Sequence, residues 1–261
     1  GSARRNTLYA TVSKGYKAGG FNTQMFSDVL QQQVMKQMGF GSLYDVADVV
    51  TYKPEKSWNY EVGAHLSTPS HKVQADLALF YIDCRDQQLT VFPEGQVTGR
   101  LMTNAGRTRS FGGEASLLAT LWRNLDLQVA YGYTRATFVK FDTGKADYAG
   151  NFIPYAPQHT LYAGASYTLR TGWNWLEYVI FRVAANGAGR IYWNEANTFS
   201  QPFYALLEAS IRFEHRHWAV DVWGRNLTDT RYDTFYFMSI GNSFLQRGRP
   251  RTFGVSLSIT L

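Results

Sequence analysis

His215 and His217 flank Arg216, and this pair of imidazoles is the nearest the chain comes to a metal-binding pattern. A structural or catalytic zinc site needs three or four protein ligands at set spacing. His65, His71 and His159 are scattered, and Cys84 is the one cysteine, so a solvated turn is the plainer reading of His215 and His217. The lone thiol also excludes an internal disulfide framework. Asp83, Asp86 and Glu94 are acidic residues near one strand end, where carboxylates are commonly solvated or face a polar interior. No nucleophile sits beside them, and no serine lies in an elbow motif. Gly15, Gly19 and Gly20 have the wrong spacing for a dinucleotide or phosphate loop, and a strand-to-loop bend accounts for them. Asn226-Leu227-Thr228 matches a glycosylation sequon, but Asp229 behind it reads as a turn that ends a strand. Nothing here supports catalysis, and neither an enzyme nor a cofactor is expected.

The elements that carry these residues have a period of two. Phe253, Val255, Leu257, Ile259 and Leu261 alternate with Thr252, Gly254, Ser256, Ser258 and Thr260. That is the pattern of a strand with one apolar face. The same alternation sets Trp58, Tyr60, Val62, Ala64 and Leu66 against Ser57, Asn59, Glu61, Gly63 and His65. It recurs from Leu125 to Thr134 and from Phe203 to Glu214. The template yields strands near 6–16, 55–68, 72–92, 97–121, 125–140, 155–170, 175–190, 202–214, 217–227 and 249–261. Most reach the roughly 9–11 residues that a tilted strand needs to cross a bilayer. Residues 28–38 have spacing that suits a short helix.

Composition agrees with a membrane barrel without requiring one. Charged residues are only 18 % and aromatics 16 %, which fits aromatic girdles but fits a carbohydrate-binding sandwich equally. A mean hydropathy of −0.28 averages apolar-out against polar-in positions and so says little. The net charge of +6 is too dispersed to argue for nucleic acid. The connections discriminate better. Pro69-Ser70-His71, Trp122-Arg123-Asn124, Thr171–Asn174 and His215-Arg216 are tight, whereas 17–54, 93–96 with its flanks, 141–154, 191–201 and 228–248 are longer. Short and long mostly alternate, as in outer-membrane barrels with short periplasmic turns and long external loops. The expected fold is therefore all-β, an antiparallel up-and-down transmembrane barrel wall of about ten strands. Phe253, Val255, Leu257 and Ile259 should face lipid; Ser256, Ser258 and Thr260 should face the lumen.

Six segments then resemble a known family in its own order. They are Tyr9–Asn22 (YATVSKGYKAGGFN), Lys53–Gly63, Asn104–Arg107 with Gly112-Gly113-Glu114, Tyr155–Thr160, Trp223–Tyr232 and Arg249–Gly254. Together they resemble the barrel of TonB-dependent outer-membrane receptors, siderophore and nutrient receptors among them. The resemblance implies the C-terminal part of a 22-stranded barrel, with an N-terminal plug and the remaining strands preceding it. It implies active uptake of a scarce nutrient such as a ferric siderophore, with TonB engaged only through the plug. Leu261 departs from the aromatic residue with which the family usually ends. Gly1-Ser2 looks like a cloning remnant, leaving 3–261 as barrel with a long external loop near 17–54. A self-contained small pore or adhesin, or a soluble β-rich binding domain, are the alternative readings.

Recognition residues are expected at the outer strand ends and in the loops. Arg190, Tyr192, Trp193, Tyr236, Phe237, Arg247 and Arg249 combine cations with aromatic rings. They suit an anionic or aromatic ligand; equally, they suit an outer girdle with cations facing lipopolysaccharide. The expected partners are thus outer-membrane lipid and lipopolysaccharide, the preceding barrel and plug, and a nutrient the sequence does not name.

Overall fold

Residues 6–22, 37–38, 50–70, 72–91, 101–144, 146–239 and 242–260 are described by a computed structural model. In chain order the strands begin with β1 (Thr7–Lys17), the short pair β2 (Gly20–Phe21) and β3 (Thr51–Tyr52), and β4 (Glu55–Ser67). β5 (Val73–Val91), β6 (Leu101–Trp122), β7 (Leu125–Lys140), β8 (His159–Trp173) and β9 (Leu176–Ala188) follow. Next come the short pair β10 (Ile191–Tyr192) and β11 (Ser200–Gln201), then β12 (Tyr204–His215) and β13 (Trp218–Arg225). β14 (Asp233–Ser239), β15 (Asn242–Arg247) and β16 (Thr252–Ile259) complete the chain. The expected helix over 28–38, the connection 93–96 and Leu261 lie outside the described residues or almost wholly so.

Ten strands form one sheet in the order β1-β4-β5-β6-β7-β8-β9-β12-β13-β16. Every pairing is antiparallel and joins neighbours in the chain once the three short hairpins are set aside. Tight turns permit nothing else, because a parallel neighbour needs a crossover of a dozen residues or more. Gly172 takes φ +77° in the β8 bulge between Arg170 and Trp173, just before the tight turn, in the left-handed region where a side chain would be strained. Among the described residues the sheet ends at β1 and β16, each paired on one side only.

The alternation read from the sequence sorts the two faces of this wall. Val222 lies opposite both Ile211 and Val255, while Asp221 lies opposite Arg212 and Ser256. The apolar set is open to the surroundings: Leu8 is 81 % exposed and Val255 68 %. A soluble protein would bury such rows; a barrel turns them to lipid. Aromatic residues gather at two levels of that face. Trp122 stands exposed at the tight-turn end, and Trp173 and Trp175 stack 5.4 Å apart in the β8–β9 turn. Trp58, Tyr60, Tyr81 and Tyr131 stand toward the long-loop end. No helix among the described residues is long and apolar enough to cross a membrane.

The β5–β6 hairpin outgrows its neighbours. At about 3.3 Å per residue, the 22 residues of β6 span roughly 70 Å, so much of it stands outside a bilayer. There the molecule builds its packed core, from Ala105, Ala136, Phe138, Phe141 and Ile153, with Leu89, Tyr148 and Ala156 against it. Phe138 is only 1 % exposed. The segment after β7 folds back along it: Phe138 N–H donates to Asn151 O (2.9 Å) and Ile153 N–H to Ala136 O (3.0 Å). Residues 155–158, expected as strand, instead finish this fold-back, and β8 starts at His159. Pro157 lacks an N–H and so weakens any ladder there.

Candidate functional site

Three long connections, those after β7, β9 and β13, are not separate arms but one aromatic cluster. Tyr155 is its centre. Its backbone N–H donates to Tyr192 O (2.8 Å) and its hydroxyl to Tyr236 O (3.1 Å). Its ring lies between Trp193 (5.5 Å, tilted) and Phe235 (5.4 Å, stacked). Tyr155 holds φ +63°, which a bulky residue keeps only where its surroundings over-determine it. Around it Phe199 stacks on Tyr236 at 4.9 Å, and Phe237 on Phe244 at 4.9 Å. Asn197, at φ +57°, accepts from Phe152 N–H (2.7 Å) and donates to Phe152 O (2.9 Å), locking one loop to the next. The buried Gln201 side chain accepts from Asp233 N–H (2.9 Å), tying β11 to β14.

A ladder of rings and cations leads out of this cluster. Tyr192 stacks on Phe152 at 5.4 Å; Arg135 lies 5.7 Å over Phe152 and Arg190 6.0 Å over Tyr192. Both guanidiniums are exposed. Of the residues expected at the site, Arg190, Tyr192, Trp193, Tyr236 and Phe237 therefore share one connected region. Trp193 is 7 % exposed, so its ring packs the loops together and does not face outward. Arg247 sits in β15 opposite Asp233, and Arg249 is held through its carbonyl, which accepts from Asn226 Nδ2 (3.1 Å). Among the described residues neither shares a hydrogen bond, ion pair or ring contact with the Arg190 ladder. Arg135, Phe152 and Tyr155 were missed by the sequence reading. Their signal was an aromatic pair bracketing Ile153-Pro154, beside a cation that continues the Leu125–Tyr133 face.

Electrostatics within the cluster follow from burial. Removal from water pushes the Tyr155 phenol up to about 12, the nearby Glu195 charge adding to it. The Glu195 carboxyl is itself held above the usual carboxylate range, chiefly by burial. A raised carboxyl favours its neutral form in the folded loops. That contribution is complete below the ordinary carboxylate value and is lost as pH rises through the raised one. Protease protection of the 189–203 loop should therefore fall across that window, and Glu195→Gln should flatten the fall.

Tyr155→Ala tests the cluster as a unit. Two aromatic contacts at about 0.5–1.5 kcal/mol each put the loss at roughly 1–3 kcal/mol, confined to the loops. Hydrogen exchange should quicken in all three connections together and stay unchanged in β4–β6. Faster exchange in one loop alone would show that they are independent.

The lumenal face carries a different chemistry. Tyr9 donates to Glu61 Oε1 (2.8 Å), and its ring stacks on His65 at 5.2 Å. His65 Nδ1 meets Asp76 Oδ1 at 2.7 Å, and Ser116 donates to Asp76 Oδ2 (3.0 Å). With Glu114 these residues border a hollow of about 690 Å³. A second hollow of about 460 Å³ is bordered by Arg182, Glu208, Asp221 and Arg225. Among the described residues no three His, Cys, Asp or Glu side chains converge as metal ligands. His215 and His217 face each other at 5.8 Å in the β12–β13 turn. Asn226 of the sequon is buried, its side chain bridging Thr230 and Arg249, and has a structural part.

Comparison with known proteins places these features. Residues 5–227 match the family model described as TonB dependent receptor-like, beta-barrel. The pesticin receptor of Yersinia pestis is 27 % identical over 258 residues, covering 97 % of this chain and 33 % of that protein. The crystal structure of the ferric yersiniabactin uptake receptor FyuA from Yersinia pestis superposes with a TM-score of 0.75 at 23 % identity, over 99 % of this chain and 35 % of that one. BauA, the ferric preacinetobactin receptor from Acinetobacter baumannii, gives a TM-score of 0.66 at 18 % identity, over 98 % and 34 %. This chain spans about a third of the length of the curated relatives it matches.

Proposed function

The chain belongs to the TonB-dependent receptor-like β-barrel family, an outer-membrane family of receptors and transporters and not of enzymes, and from that premise we propose that it is the C-terminal barrel section of a receptor for active uptake of a ferric siderophore. The carrying observation is the ladder Arg135–Phe152–Tyr192–Arg190, its arginines exposed and its rings half-buried, on a loop cluster tied together by Tyr155. Ferric siderophores built on catechol or phenol groups present aromatic rings and anionic oxygens, and paired cation–ring sites suit that chemistry. Preorganised loops also avoid the ordering cost of binding. Ferric yersiniabactin, the cargo in the name of one structural relative, is the first ligand to try.

The preceding barrel strands and the plug complete the molecule in this reading, with residues 3–261 as the barrel section. Glu61, Asp76 and Glu114 then offer carboxylates to cations on whatever fills the bore, and TonB acts only through the plug. The test is growth of a host starved of iron and lacking the whole gene, supplied with ferric siderophores one at a time. One class should restore growth only when the gene is returned. Arg135→Ala with Arg190→Ala should weaken that ligand by roughly tenfold per cation, about 1.4 kcal/mol each. Growth on every chelate without the gene, or full affinity in the double variant, would overturn the proposal.

A further inference from the structure

The lipid-facing side of β1, β4, β5, β6 and β7 carries most of its charge in two register rows. Moving outward, the row Val12–Tyr60–Tyr81–Phe111 is apolar and aromatic and ends on Arg135 in β7. The next is Lys14–Trp58–Asp83–Arg109, and the one beyond it is Tyr16–Lys56–Arg85–Arg107–Lys140. Four successive strands thus place Lys56, Arg85, Arg107 and Lys140 side by side, each about 5 Å from the next. All four are exposed.

Like charges directly opposite across strands repel. Only one carboxylate lies in these two rows: Asp83, which binds Arg107 Nε at 2.7 Å. Lys14 leans over Trp58 at 5.8 Å. Among the described residues Lys56, Arg85, Arg109 and Lys140 have no ion pair. Repulsion of this kind along one row is relieved by an anion that bridges several cations at once. Its level fixes which anion. The row sits immediately outside an aromatic belt, and such belts mark the membrane interface, where lipid phosphates lie.

We infer that this ribbon is a binding site for a bis-phosphorylated glycolipid of the outer leaflet, its phosphates bridging Lys56, Arg85, Arg107 and Lys140 while its acyl chains run down past Tyr60, Tyr81 and Phe111. The site uses the outer-membrane placement of the barrel and is independent of the cargo. It is distinct from the Arg190 ladder. A point cation meets a phosphate from any direction and a guanidinium meets two of its oxygens together, so the mixture of Lys and Arg suits two phosphates at slightly different heights.

The full-length receptor, purified in detergent, is incubated with bis-phosphorylated lipid A, dephosphorylated lipid A or phosphatidylcholine, and bound lipid is read by native mass spectrometry. The bis-phosphorylated form should bind at least tenfold better than either other lipid, and more weakly as ionic strength rises. The triple variant K56Q/R85Q/K140Q should lose at least tenfold. Should the triple variant not fold, as judged by heat-shifted electrophoresis, K56Q/K140Q should lose at least threefold and serves in its place. Equal binding of dephosphorylated lipid A, or unchanged binding by a folded variant, overturns the inference. Competition by millimolar inorganic phosphate also overturns it, by showing a small-anion site and not a lipid one.

Discussion

Val255→Arg should block assembly of the barrel, while Ser256→Arg, one residue along, should leave it nearly intact. Val255 lies opposite Val222 in β13, which lies opposite Ile211 in β12, in a row open to lipid. Ser256 lies opposite Asp221 and accepts from Trp223 Nε1 (3.2 Å) on the polar face. An arginine on the lipid face near the bilayer midplane costs about 2–4 kcal/mol, falling toward zero near the interfaces. Val255 is four residues from the end of β16 and pairs four residues above Trp218, so it is close to that midplane. In the lumen an added guanidinium meets water and the Asp221 carboxylate. Among the described residues Asp221 Oδ1 has no hydrogen-bond partner, so the serine variant even supplies one. The measurement is the fraction of full-length receptor that resists heat and protease after refolding into lipid. Equal loss in the two variants would mean that the faces, or the membrane, are assigned wrongly.

That prediction comes directly from parity, and parity is what the sequence exposes best. A strand with lipid on one side and polar lumen on the other writes its orientation into every second residue. All ten wall strands therefore start and stop within about four residues of the alternation, and β8 loses 155–158 because Pro157 and the Tyr155 turn replace the first residues of its ladder. The tight turns were legible for the same reason: Pro69 and Gly172 punctuate strands of clear period.

The loops followed no such rule. β10–β11 and β14–β15 are hairpins with too few residues, or too many aromatics on both sides, to show a period of two. Phe235, Tyr236 and Phe237 are consecutive rings, and only the packed structure separates them: Phe235 to Tyr155, Tyr236 to Phe199 and Phe237 to Phe244. Trp193 looked like an exposed contact because it lies in a loop, yet it is buried against Tyr155. The cationic ribbon was equally hidden. Lys56, Arg85, Arg107 and Lys140 are far apart in the chain, and only strand register makes them neighbours.

Register also predicts how the chain behaves by itself. Expressed without preceding segments, it should neither drive uptake nor form a stable large channel. β1 and β16 are the two ends of the sheet, each paired on one side only among the described residues. In an antiparallel strand, alternate residues turn both backbone groups to the same side. About half of the eight residues of β16 thus point some eight N–H and C=O groups outward. Each unsatisfied group in hydrocarbon costs several kcal/mol, so one bare edge costs tens of kcal/mol. That exceeds the roughly 5–15 kcal/mol by which a folded domain is stable. The chain must close on itself, pair with a second copy, or aggregate. Closure of ten strands gives a bore little wider than the eight-stranded barrels that side chains fill, and open channels appear at about 16–18 strands. Glu61, Tyr162, Glu208 and Arg212 lie on the polar face and would crowd it. Planar-bilayer recording of the refolded chain, paired with its mass in detergent, decides the matter. The expected outcome is negligible conductance, with dimers or aggregates in solution. A stable, large, ion-conducting pore made by one chain would sink the barrel-section reading and leave a self-contained porin in its place.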